Sequence, residues 1–302
     1  MIGKKTKSLK VKNRSDRAFY AVIAVVIAIL TIIVLYPIIY IVSASFSSSN
    51  AVAEGRVWLW PVEFSTEAYK AVFAYKDLWL GYKNTIFYVV VGTILNVSME
   101  MICAYPLARK NLWGRSTISF FLTFTMLFGG GMIPNYLLVK ELGMLDTPAS
   151  LIIPGAMSVY NVIVARTFIQ NNIPDELLEA SRIDGCSDFK FFFKILLPLS
   201  KAIIAVLVLW HAVGHWNSYF SAFLYITDKQ LYPLQIFLKE ILVQSNISSD
   251  VVGDVAGALQ MQNLKQLLKY AIIVVSTVPL FTFYPFVQKH FVKGVTIGSV
   301  KG

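Results

Sequence analysis

His211 and His215 stand four residues apart in the run HAVGHWNSY, a spacing that sets two imidazoles on one helical face and that zinc hydrolases use to hold their metal. Those enzymes place a glutamate base directly after the first histidine. Here that position is Ala212, so hydrolysis lacks its proton acceptor. The same run offers two other readings. His211, His215, Trp216, Asn217 and Tyr219 combine hydrogen-bonding groups with flat aromatic faces on which a sugar ring can stack, as the lining of a polar cavity would. Equally, they can serve packing and hydrogen bonds between helices. Glu100 is a carboxylate well inside an apolar run, where charge is costly and turns to a bundle interior or a water-filled path. It reads as a lining group of such a path, or as a paired or protonated carboxyl that holds helices together. Tyr160 and Asn161 place two more polar groups in an apolar stretch.

A second set of polar residues lies between two strongly apolar runs, in residues 174–200, PDELLEASRIDGCSDFKFFFKILLPLS. Pro174 suits a first helical turn, where its missing N–H costs nothing. Asp175, Glu176 and Glu179 put negative charge near that positive helix end. Asp184-Gly185 signals a turn. Beyond it Phe189, Phe192, Phe193 and Leu196 fall at i, i+3, i+4 and i+7, one apolar helical face. The stretch predicts two short helices hinged at Gly185 on a membrane surface, presenting polar groups to a cytosolic partner.

The elements that carry these residues are apolar helices. With 56% hydrophobic residues and a mean hydropathy of +0.63, the chain exceeds the apolar fraction of soluble domains. A bilayer span takes roughly 20 apolar residues, and six stretches qualify: 19–44, 85–108, 117–139, 150–170, 201–223 and 269–291. The expectation is an all-α, polytopic membrane protein with six transmembrane helices. The first run is too long, and too poor in a small-residue cleavage site, for a removed signal peptide. Most of the 27 basic residues fall on one side if the N-terminus is inside, among them Lys4 to Arg17, Arg109, Lys110, Arg115, Arg182, Lys190 and Lys194. By the positive-inside rule both termini and residues 171–200 are cytoplasmic. The organisation expected is a basic cytosolic arm (1–18), a six-span domain (19–291) and a Gly-rich cytosolic tail (292–302).

The net charge of +10 is largely topological. The Lys4 to Arg17 run has no interleaved aromatics and reads as an anchor against anionic lipid, not as a nucleic-acid surface. Cys103 falls in a span and Cys186 in the hinge, so no disulfide is expected between them. Gly129-Gly130-Gly131 and Pro134 break the third span, which membranes tolerate where the backbone lines a cavity or is buried in protein. The sequence holds neither a phosphate-binding Gly-x-x-x-x-Gly-Lys-Ser/Thr loop nor a Gly-x-Ser-x-Gly nucleophile elbow. The chain therefore reads as no ATPase and no such hydrolase.

Glu179-Ala180-Ser181, Asp184-Gly185 and Ile195-Leu196-Leu197-Pro198 resemble the EAA signature of bacterial ABC-importer permeases, with Ser181 a small-for-small departure at the third position. Residues 57–61, 84–88, 160–170, 214–220 (GHWNSYF), 232–236 and 288–302 extend the resemblance to the carbohydrate group. Within it the likeness is to the maltose-permease-like members with six spans, of the aldouronate and LplC/YtcP-like kind that carry polysaccharide fragments.

The resemblance implies a type I permease fold in the bacterial cytoplasmic membrane. It also implies a translocation subunit that is not itself an enzyme, working beside a second homologous permease. Two cytosolic ATPase subunits bind ATP and Mg²⁺, so this chain holds no cofactor or metal. An extracellular solute-binding protein delivers an oligosaccharide. The EAA helix seats in a cleft of the ATPase, a role that falls on Glu179, Ala180, Ser181, Asp184 and Gly185, and the tail can reach the ATPase dimer. Alternating access is the implied mechanism. The rivals are an ion-coupled secondary transporter relaying through Glu100 and the histidines, and an intramembrane metalloenzyme built on His211 and His215.

Overall fold

The computed structural model describes residues 14–244, 267–282 and 285. Most of the N-terminal arm, the 292–302 tail and most of the 283–291 end of the sixth expected span lie outside the described residues. The chain divides into two units, residues 1–72 with 249–274, and residues 73–248 with 275–302.

In the first unit α1 (Arg14–Ser45) is 32 residues long, about 48 Å at 1.5 Å per residue, more than the hydrocarbon core requires. Residues 16–39 are exposed on every side of the helix, the pattern of an apolar helix whose solvent is lipid. The polar run from Ser43 to Asn50 ties down the segment after it. Ser43 Oγ donates to Leu59 O (2.6 Å), and Ser47 Oγ accepts from Val62 N–H (3.0 Å). Ser48 caps α2 (Ser49–Ala53) and donates to Glu63 (2.6 Å). After Ser65-Thr66 the chain forms α3 (Glu67–Ala74).

The second unit is built on α4 (Lys76–Ala108), 33 residues without a break, against which α8, α12 and α14 pack. α5 (Arg115–Leu127) and α6 (Met132–Glu141) meet at an angle of 111°, broken where the three glycines predict. The break is real backbone geometry, since Gly131 has φ +85°, a region other residues avoid. Pro134 sits in the first turn of α6, where a missing N–H is harmless. The fourth expected span is not one helix: α7 (Ala149–Ile152) and α8 (Val159–Asn172) are separated by a turn containing Pro154 and Gly155. There follow α9 (Asp175–Ile183), α10 (Asp188–Phe191), a π-helical turn (Phe192–Leu196) and α11 (Leu197–Leu199). The segment from Asp188 to Leu199 meets α12 (Lys201–Trp216) at 80°. α13 (Phe220–Tyr225), a 3₁₀ turn (Lys229–Leu231), α14 (Leu234–Gln244) and α15 (Leu267–Thr282) complete the described order.

Among the described residues, two helices alone are long and apolar enough to cross a membrane, or four if each bent pair is one span. Six spans would need α8 and α15, both shorter than 18 residues, to count as well. Among the described residues two apolar cores organise the second unit. One joins Tyr88, Val139, Leu151, Ile152, Tyr225 and Ile236. The other runs from Met101 and Leu107 of α4 through Val162 and Ile169 of α8 to Leu178, Phe191 and Leu196, so the 174–200 stretch is rooted in the bundle. Cys103 and Cys186 are free thiols.

Candidate functional site

Between the two cores α4 presents polar or side-chain-free positions one turn apart: Gly92, Asn96 and Glu100. α12 runs against it with His215 and His211, again one turn apart. The pairing is antiparallel. His215 Nε2 lies 2.7 Å from Asn96 Oδ1, and His211 Nε2 lies 2.9 Å from Glu100 Oε1. α8 supplies the third side. Asn161 Nδ2 donates to Glu100 Oε1 (3.0 Å) and is 3.0 Å from His211 Nε2. The turn before α8 closes the ring: Ser158 N–H donates to Glu100 Oε1 (3.1 Å), and Gly155 O accepts from Asn96 Nδ2 (2.5 Å).

Glu100 is fully buried. Main chain, amide and imidazole converge on its Oε1, while Oε2 has no partner among the described residues. A buried acceptor of this kind gains from each donor and leaves each donor costly to orphan. The two histidines turn their Nε2 atoms to different partners rather than to one common point.

The other residues of the expected polar path separate from this network. Trp216 is only 7% exposed, its indole N–H donates to Ser276 O (3.2 Å), and its ring meets Tyr82 edge-on. The expected open stacking face is therefore closed by packing. Tyr160 lies on the exposed side of α8, tilted against Trp210 with centroids 5.8 Å apart. Asn217 is spent as the C-cap of α12 and donates back to Val213 O (3.0 Å). Tyr219, past the end of α12, faces a different recess. Sequence reasoning missed Asn96 and Gly92, although their four-residue spacing to Glu100 marks the same helical face.

In the 174–200 stretch the predicted pair of helices and the hinge at Gly185 are both present. Pro174 is one place earlier than expected, the extended N-cap of α9 with φ −62° and ψ 145°. Gly185 has φ +73° and completes a Schellman turn. Its N–H donates to Arg182 O (3.0 Å), and Cys186 N–H donates to Ser181 O (2.9 Å), satisfying carbonyls the helix end would orphan. Ser187 then caps α10 through Lys190 N–H.

α9 has two faces. Leu178 and Ser181 are buried, and Ser181 Oγ donates to Leu178 O (2.7 Å). Glu179, Ala180, Asp184 and Gly185 are exposed, and Ile183 is 88% exposed. Ser181 thus does not share the exposed surface expected of it; it is small because it packs inward. Two ion pairs brace the helix, Lys110–Asp175 (2.9 Å) and Arg182–Asp188 (3.3 Å). The Lys110 pair holds the Asp175 carboxyl below its ordinary range and raises the lysine. The apolar face expected beyond the hinge is also shifted. Phe192 and Leu196 are buried as expected, while Phe189 and Phe193 are exposed and Phe191 is buried in their place, packed in the core with α4 and α8.

Comparison with known proteins places this geometry. Residues 101–297 match the family described as binding-protein-dependent transport system inner membrane component. The chain is 40% identical over 288 residues to the polygalacturonan/rhamnogalacturonan transport system permease protein YtcP of Bacillus subtilis strain 168. That alignment covers 95% of this chain and 99% of the relative. It is 42% identical over 273 residues to protein LplC of the same organism, covering 89% of this chain and 90% of LplC. Among solved structures, a chain of a bacterial ABC transporter involved in import of the acidic polysaccharide alginate superposes with a TM-score of 0.83 at 38% identity. It covers 92% of this chain and 98% of that one. The all-α bundle described above is accordingly the type I permease fold, its relatives are transport components and not catalysts, and the chain belongs to the family of inner membrane components of binding-protein-dependent transport systems.

Proposed function

We propose that this chain is the translocation subunit of an ATP-driven, binding-protein-dependent importer of oligosaccharides or polysaccharide fragments. It works with a second homologous permease, two copies of a cytosolic ATPase subunit that bind ATP and Mg²⁺, and an extracellular solute-binding protein. Six spans cross the cytoplasmic membrane and both termini are cytoplasmic. The relatives named for polygalacturonan and rhamnogalacturonan and for alginate support the substrate class.

The observation that carries the reading is α9. It exposes Glu179, Ala180 and Ile183 on one side while Leu178 on the other roots it in the core shared by α4, α8 and α12. A force applied to the exposed side reaches the membrane helices through packed side chains. ATP binding would draw two such helices together and open the spans outward, and hydrolysis would reset them, a two-state change biased from both ends. In this state the Glu100 network acts as a latch between α4, α8 and α12. Reconstitution of the chain with its second permease, ATPase and binding protein tests the reading: oligosaccharide uptake should require ATP and stop with vanadate. Uptake by the chain alone, driven by an ion gradient, would instead make it a secondary transporter.

A further inference from the structure

Past the end of α12 a recess of about 320 Å³ is walled by Tyr219, Phe223, Tyr232, Ile236, Lys239 and Glu240, a volume in the range of small-molecule sites. It shares no residue with the Glu100 network. Tyr219 and Phe223 stack with centroids 5.8 Å apart. Lys239 Nζ sits 4.5 Å from both centroids and donates to the Tyr219 hydroxyl. The flexible ammonium is thereby held in one place by the negative faces of two rings.

Lys110, Lys229, Arg56 and Arg182 each pair with a carboxylate. Among the described residues no carboxylate lies within ion-pairing distance of Lys239, although Glu240 lines the same recess. An aromatic wall, one positioned cation and one carboxylate acceptor form a chemically specific set. The rings suit the apolar face of a pyranose, the ammonium suits a single carboxylate, and Glu240 can accept from hydroxyls. We propose that this recess is a subsite for a carboxylated sugar residue, a uronate unit of an incoming oligosaccharide. The proposal rests on the importer reading and adds to it a charge selectivity located on this chain.

The test is direct binding to the full chain in phosphatidylcholine nanodiscs at low salt, with tri-galacturonate and neutral galactotriose as probes. Lys239→Gln should weaken tri-galacturonate binding about tenfold, the loss of one charge-assisted contact, and leave galactotriose unchanged. Because Lys239 is exposed, the variant should fold as the parent does. Equal tri-galacturonate affinity in the two proteins, or none in the parent, overturns the subsite. Lysine-dependent retention of phosphatidylglycerol without galacturonate binding assigns the site to lipid anions and overturns it too. If the subsite fails while ATP-driven uptake persists, the importer reading stands. If uptake fails while charge-selective binding persists, only the importer reading falls.

Discussion

His215 occupies the space that a side chain at Gly92 would need. A Cβ added to Gly92 would fall 2.4 Å from His215 Nε2 and 2.5 Å from its Cε1. The glycine is therefore what lets the imidazole lie against α4 and reach Asn96 Oδ1 at 2.7 Å. Gly92→Ala should displace the ring, break that bond and destabilise the bundle by about 1–3 kcal/mol, the usual cost of overpacking. Adding His215→Ala should restore the space, so the double variant should lose less than the two singles combined. Thermal unfolding in detergent measures this, and strictly additive losses would show that the two residues do not compete.

Glu100 separates a latch from a proton relay. Gln keeps an oxygen for the donors from Ser158 and Asn161, stays within reach of His211 Nε2 and places its amide where Oε2 has no partner among the described residues. Leu orphans both donors and removes the partner of the imidazole, at about 1–3 kcal/mol for each buried group left unsatisfied. Uptake at matched membrane abundance should therefore fall far more for Glu100→Leu than for Glu100→Gln. Equal loss in both would mean that the carboxyl must titrate, and would return weight to an ion-coupled mechanism.

These two positions also show what a sequence can disclose. Glu100, His211 and Asn161 are conspicuous because polar groups are rare in apolar runs, and the structure brings all three together. Gly92 and Asn96 are legible only as members of the same four-residue stripe within the 85–108 span, because neither carries the charge that makes Glu100 conspicuous. Trp216 was misleading because residue type suggests an open stacking face, whereas packing against Tyr82 and Ser276 is a tertiary fact. The α9 hinge was readable because Gly185 answers to a local rule about positive φ. The buried set beyond it was readable only in part: Phe192 and Leu196 are buried as the helical face predicts, whereas Phe191 is buried in place of Phe189 and Phe193, a tertiary outcome of packing in the core with α4 and α8.

Asp146 carries a pH-dependent contact outside the spans. It adopts φ 54° and accepts from the Thr227 hydroxyl (2.6 Å), Thr227 N–H (2.5 Å) and Asp228 N–H (2.9 Å). The Thr227 hydroxyl, followed by the two backbone donors, holds its carboxyl below the ordinary aspartate range. With a depressed folded-state pKa, its stabilisation is fully present above the unfolded value near 3.9. It is lost as pH falls through the lower folded value. Asp146→Asn should therefore unfold at a lower temperature than the parent at neutral pH, by a constant margin down to about pH 4. Below that the margin should shrink. A margin that instead varied between pH 6 and 8 would point to a different titrating group.

The exposed face of α9 makes the sharpest claim. Glu179→Lys reverses a charge beside Ala180 and Ile183, and Gly185→Val places a β-branched residue at φ +73°, where L-residues with branched Cβ atoms are genuine outliers. The space around Gly185 is open, so the valine penalty is backbone strain alone, about 1–3 kcal/mol. It should act on the Schellman turn and not on the bundle. Neither residue contributes to the buried cores, so membrane insertion and pairing with the second permease should survive in both. Co-purification then separates two failures. A lost ATPase subunit means the surface is the docking site. A retained ATPase subunit with no uptake means the turn transmits motion that the variant no longer passes on. If Glu179 meets a basic residue of the ATPase, an acidic replacement of that partner should partly restore Glu179→Lys. Normal uptake and normal ATPase retention in both variants would remove α9 as the coupling element, and with it the route by which nucleotide hydrolysis is proposed to reach the spans.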